Sequence, residues 1–154
     1  MRLKLFLIFA LFFSRSLFSS GETVYAKDNT LRPLQLNELP RIVRDFIHSY
    51  FAEKDISFIK SEGTMIFKKY AVYFVDGSKV EFTRNGKWEK VDCIKNAVPL
   101  GIVPSQIIAY MERHYPHSSI VEIYRDRRGY EVELNNDVEI KFDSRFNIKE
   151  YDDD

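Results

Sequence analysis

The hydrophobic period of this chain switches from helical to strand spacing twice, in the same order each time, and few folds can satisfy that pattern. Leu39, Ile42, Val43, Phe46, Ile47, Tyr50 and Phe51 recur at steps of three and four, the stripe of an amphipathic helix. Asn37 is placed to cap it, and Pro40 falls in its first turn, where a missing N–H costs little. The period then becomes two. Tyr70, Val72 and Phe74 alternate with Ala71, Tyr73 and Val75 up to Asp76-Gly77, and Val80 and Phe82 alternate with Glu81 and Thr83 up to Asn85-Gly86. Both dipeptides favour the positive φ of tight hairpin turns. Ile56 to Lys60 makes an earlier strand, and Trp88 and Val91 a later one.

The second pass begins at Val103-Pro104, which follows Leu39-Pro40 by 64 residues. Ile107, Tyr110, Met111 and Tyr115 answer Val43, Phe46, Ile47 and Phe51 at the same offset, as do Ile120 and Ile123 for Ile56 and Ile59. Beyond that the offset is 60: Tyr130, Val132 and Leu134 match Tyr70, Val72 and Phe74, Ile140 and Phe142 match Val80 and Phe82, and Ile148 matches Trp88. The change in offset places a short insertion around Thr64 to Lys69. So many matches in one order predict an internal duplication. The expected fold class is α+β: a tandem repeat of a helix followed by an antiparallel four-stranded unit, with the helices on one face of the sheet or sheets. Two such units could share one long sheet or pack through their helices, and both arrangements stay open. The first repeat covers 36–93, the second 103–154, and 94–102, with Pro99 and Gly101, links them within one compact domain.

Ahead of the repeats, Arg2 and Lys4 precede an unbroken apolar run from Leu5 to Phe13. Nine residues are too few to span a bilayer, which needs about 20. A basic start, a short apolar core and then small residues form a secretory signal. Cleavage is expected after Ala26, with a cut near Ser20 as the alternative, leaving 27–35 as a flexible leader. The expected location is therefore periplasmic or secreted, with no membrane span after cleavage. No Cys follows the apolar run to receive a lipid. The mature chain carries 20 basic and 22 acidic residues, a balance that argues against a nucleic-acid surface. Cys93 stands alone, so the fold must hold by its core without an internal disulfide.

The segments His114-Tyr115-Pro116, Gly129 to Leu134 and Val138 to Asp143, echoed by Val80-Glu81-Phe82 and Gly86-Lys87-Trp88, resemble the PepSY-like family of exported proteins, also described as β-lactamase-inhibitor-like. The resemblance runs from about residue 36 to 152. It implies helix-plus-four-strand units with a concave sheet face, and it implies no catalytic residue.

The residues themselves carry no recognisable catalytic chemistry. His114 and His117 are separated by Pro116, which takes them off a common helical face, and His48 stands in another element. Ser61, Ser78 and Ser144 lie in or near turns, where serine is expected anyway. There is no Gly-rich phosphate loop, and the acidic end Asp152 to Asp154 reads as a solvated terminus. No catalytic, metal or cofactor residue is assigned, and the chain is expected not to be an enzyme. One asymmetry stands out. Opposite the core, the first repeat presents Phe67, Lys69, Ala71, Tyr73 and Val75, where the second presents Glu131 and Glu133. An exposed apolar strip containing Tyr marks a partner surface, which makes Phe67, Lys69, Tyr73 and Val75 the candidate partner-binding residues; the alternative is that the linker or the leader covers this strand on its outer face. The expected function is an exported binding module for a protein or peptide of the cell envelope, inhibiting or regulating an extracytoplasmic enzyme. The alternative is a structural envelope protein that self-associates along sheet edges.

Overall fold

The computed structural model describes residues 33–63 and 67–149. The first helix, α1 (Arg41–Tyr50), is followed by β1 (Ile56–Glu62), β2 (Lys69–Phe74), β3 (Lys79–Thr83) and β4 (Trp88–Asp92). The second, α2 (Ser105–His114), is followed by β5 (Ile120–Arg125), β6 (Gly129–Leu134) and β7 (Glu139–Asp143). The strands form a single antiparallel sheet in chain order from β1 to β7. Of the two arrangements left open by the periodicity, the continuous sheet is the one adopted: β4 pairs with β5 through Lys90 with Tyr124, Val91 with Ile123 and Asp92 with Glu122. Among the described residues the second half has three strands rather than the expected four, and Ile148, where the fourth is expected, makes an isolated bridge to Phe142.

Both helices start later than the periodicity suggests, and for the same reason. Pro40 and Pro104 are the N-cap residues, with extended backbones. Their carbonyls accept from Val43 and Arg44, and from Ile107 and Ile108, respectively. A residue before proline is pushed out of the helical region, and Leu39 is indeed extended. The helix therefore cannot reach back to Asn37, which lies in a 3₁₀ turn, Leu36–Glu38. The supposed leader is tied down at its end, where the Leu34 N–H donates to the Ile59 carbonyl over 2.8 Å. The segment between the halves is also anchored: Val98 and Ile102 are buried, and the Val98 N–H donates to the Ile120 carbonyl.

One face of the sheet makes the core. Val72, Val80, Phe82, Val91, Ile123, Val132, Ile140 and Phe142 are buried against Val43 and Ile47 of α1 and Ile107 and Met111 of α2. Each helix sets one ring edge-on to a strand phenylalanine, Phe46 on Phe82 at 5.3 Å and Tyr110 on Phe142 at 5.4 Å. Such pairs add roughly 1 kcal/mol beyond the area they bury. Four hairpin and terminal turns share one hydrogen-bond pattern, closing from Gly77 to Phe74, Gly86 to Thr83, Asp137 to Leu134 and Phe146 to Asp143. The donor residue is left-handed in all four. Glycine takes that role in the first half, as the two dipeptides suggested, while Asp137 and Phe146 take it in the second at a steric cost.

Candidate functional site

The face away from the helices is built by strand alternation, so its members follow from register. One row crosses the whole sheet: Phe58, Tyr73, Lys79, Asp92, Glu122, Glu133 and Glu139 stand directly opposite one another on successive strands. The next row is Lys60, Ala71, Glu81, Lys90, Tyr124, Glu131 and Lys141. The first row changes character along the sheet, from aromatic and basic at β1 to β3 to acidic at β4 to β7, while the second mixes both signs throughout.

Of the four candidate residues, Tyr73 sits at the centre of the aromatic end. Its ring stacks on Phe58 at 4.3 Å with 14° between the planes, and the ammonium groups of Lys60 and Lys79 lie 5.1 and 6.0 Å from its centre. Lys69 is committed to an ion pair with Glu89 at 2.6 Å, which raises its pKa above the ordinary lysine value. Phe67 and Val75 are strongly exposed, at 74% and 70%, but they lie just beyond opposite ends of β2. Val75 follows Tyr73 by two residues, whereas Phe67 precedes it by six, about 20 Å along an extended chain. Ala71 is buried although it faces outward, because the long side chains of neighbouring strands close over it. Sequence reasoning missed Phe58, Lys60 and Lys79. Alternation in 56–60 could have placed Phe58 opposite Ile59, and only the strand pairing brings it onto Tyr73.

Ion pairs tile the rest of the face. Lys79 meets Glu81 at 2.7 Å, Lys90 meets Glu122 at 2.6 Å, and Lys141 meets Glu139 at 2.6 Å. Hydrogen bonds to their carboxylate partners raise the pKa of Lys60 and Lys79. Glu122 is raised above the ordinary glutamate value, first by burial, with Asp92 and Glu133 adding to the effect and Lys90 opposing it. Like charges directly opposite are destabilising, so the carboxylate row gains nothing for the fold beyond what its lysines return.

A profile described as "Putative beta-lactamase-inhibitor-like, PepSY-like" matches residues 68–150, more than half of the chain. The chain belongs to the PepSY-like family. Three solved structures of Bacteroides proteins resemble this PepSY-like fold. A "putative periplasmic protein from DUF2874 family" of Bacteroides vulgatus is 38% identical, with a TM-score of 0.74, over 79% of this chain and 96% of its own. A "putative calcium-regulated periplasmic protein" of Bacteroides thetaiotaomicron is 38% identical, with a TM-score of 0.75, over the same shares. A "putative periplasmic protein of unknown function" of B. vulgatus is 32% identical, with a TM-score of 0.70, over 75% of this chain and 93% of its own. A search of curated proteins returns no significant match.

The remaining reactive groups of this PepSY-like chain are dispersed. His114 stacks on Tyr110 at 4.4 Å, and His48 Nε2 lies 3.3 Å from Glu53. Cys93 is buried, and burial pushes its thiol up to about 11. Among the described residues no three His, Cys, Asp or Glu side chains gather in a way that could hold a metal ion. The predicted signal peptide lies outside the described residues.

Proposed function

We propose that the chain is an exported, non-catalytic binding module that docks a protein or peptide of the cell envelope on the open face of its sheet. Inhibition or regulation of an extracytoplasmic enzyme is the sharpest form of this reading. The observation that carries it is the Phe58–Tyr73 pair, flanked by Lys60 and Lys79, on the face away from both helices. Phe58 is 42% exposed there. An aromatic pair at the surface gains little by remaining in water, whereas Tyr with a cationic rim is a common anchor at protein interfaces. The basic opening and apolar run of the sequence support export, as do the periplasmic descriptions of the similar structures. The matched helix caps, ring pairs and turn patterns of the two halves support an origin by duplication.

The test is affinity capture from envelope extract with the wild-type chain and with Tyr73→Glu, after thermal melts establish that both are folded. A specific partner retained by the wild type and lost with Tyr73→Glu is the expected result. Equal retention by both, or no specific partner for either, refutes the assignment of this face.

A further inference from the structure

The four turns that close with the same hydrogen bond differ in their chemistry. Their left-handed residues are Gly77, Gly86, Asp137 and Phe146, preceded by Asp76, Asn85, Asn136 and Arg145. An asparagine side-chain amide can be attacked by the backbone nitrogen of the next residue, most readily when that residue is glycine and has no Cβ to crowd the approach. Asn85-Gly86 is the one of the four with both parts. Asn136 is followed by the bulkier Asp137. Asp76 offers a carboxylate in place of an amide, and it is already engaged, accepting from the Ser78 N–H over 2.9 Å and from the Asn96 side chain over 3.1 Å. Asn85 is exposed, and no described residue engages its side chain.

Gly86, by contrast, is held. Its N–H donates to the Thr83 carbonyl over 2.9 Å, the Thr83 N–H donates to the Lys87 carbonyl over 2.8 Å, and the Lys87 N–H donates to the Thr83 hydroxyl over 3.1 Å. A nitrogen whose proton is committed to the turn is not free to attack, so the turn must first open locally. Gly86 is also buried against α1. A Cβ built on it would overlap Ile42 Cγ2 and lie 3.2 Å from Val43 Cγ2. This turn is therefore where the β3–β4 hairpin seats on the first helix.

We propose that Asn85 is a site of self-modification, at which opening of the turn lets the Gly86 nitrogen attack the Asn85 side-chain amide. The nitrogen bonds to the amide carbon, the amide C–N bond breaks, and ammonia leaves with the proton that Gly86 gives up. Water then opens the cyclic imide to an aspartyl or isoaspartyl residue at position 85, and nothing is oxidised or reduced. The isoaspartyl product lengthens the main chain by one carbon just before Gly86. The contact of Gly86 with Ile42 and Val43 has no room for that displacement, so modification loosens the hairpin from α1. The site is on the helix side of the sheet and is independent of the function proposed for the open face.

The experiment is incubation of the purified chain at mildly alkaline pH, well below its melting temperature, with conversion followed by peptide mapping and mass spectrometry. Asn85 should convert ahead of every other asparagine. It should do so at least about tenfold more slowly than in a free peptide of residues 81–90, because only the opened turn reacts. Thr83→Val removes the hydroxyl that accepts from Lys87 and should speed conversion about fivefold, the effect of one hydrogen bond on opening. Urea below the unfolding transition should speed conversion in the wild type in the same sense, whether or not Thr83→Val folds. The isoaspartyl form, separated by ion exchange, should melt at a lower temperature than the unmodified chain. An Asn85 that stays intact while the peptide converts fully overturns the proposal, as does another asparagine converting first. Conversion as fast in the folded chain as in the peptide refutes the gating by the turn, and so does a rate that low urea leaves unchanged. An isoaspartyl form that melts with the unmodified chain refutes the link to α1.

Discussion

Replacing Gly129 by alanine tests the close approach of β6 to β7, on which the second half of the sheet depends. Gly129 opens β6 with φ of +146°, a region that L side chains rarely adopt. An ideal Cβ there would overlap the Phe142 carbonyl oxygen and lie 2.8 Å from the Asp143 Cα. Both obstacles are backbone, so no rotamer change relieves them. Restoring a carbon–oxygen contact of about 3.2 Å would move the strands apart by over an ångström and break the rung between Gly129 and Asp143. The strained conformation accounts for about 1–3 kcal/mol, overpacking for a similar amount, and a lost backbone pair for about 1 kcal/mol. These overlap, and the expected loss is about 3–5 kcal/mol, or about 10–20 °C in melting temperature for a domain of this size. Gly77→Ala is the comparison. It too is left-handed, at φ of +90°, but its Cβ meets only the Ile94 Cδ1 at 2.8 Å, the end of a half-exposed side chain that can turn away. Its loss should be smaller, at about 1–2 kcal/mol. Urea and thermal unfolding followed by Trp88 fluorescence and circular dichroism measure both. A Gly129→Ala variant no less stable than Gly77→Ala would refute the close approach and the reasoning built on it.

Arg125 covers the single tryptophan, its guanidinium 3.9 Å from the Trp88 ring centre and its Nε donating to the Trp88 carbonyl over 2.8 Å. Arg125→Ala should shift the fluorescence of folded Trp88 and destabilise the chain by about 1–2 kcal/mol, and Arg125→Lys should not restore the signal, lacking the planar fork. An unchanged emission spectrum would mean that the stack is absent. Glu122 binds its proton more readily in the folded chain than in the unfolded one, because burial raises its pKa. It therefore adds stability as pH falls towards the ordinary glutamate value, and that contribution is lost as pH rises through the raised folded value. The difference in urea midpoint between the wild type and Glu122→Gln should slope in that window, favouring the wild type at the acid end. A flat difference would show that burial at Glu122 is not felt by its proton.

Much of the core was legible in local pattern. The residues assigned to the inner face, such as Val72, Phe82, Val132 and Phe142, are buried, because strict alternation beside a helical stripe leaves one consistent way to bury apolar groups. Cys93 is buried as expected, and Trp88 packs at the core's edge. The candidate face was legible only in part. Alternation puts Tyr73 on it, but its neighbours Phe58 and Lys79 come from β1 and β3, and pairing partners across strands leave no mark in a local period. The pairing of Lys69, a member of the candidate strip, with Glu89 is likewise not legible, since Glu89 reaches it only after β2, β3 and β4 align.

By itself, the order of residues determined two helices, the hairpin strands, their inward faces and their turn positions, since these depend on side-chain spacing and on the conformational limits of glycine and proline within a few residues. Tertiary structure decided that the halves share one sheet and that the aromatic and acidic ends of the open face lie along one row. Those outcomes depend on register between distant segments, where the burial of both inner faces together, rather than any local preference, selects the arrangement.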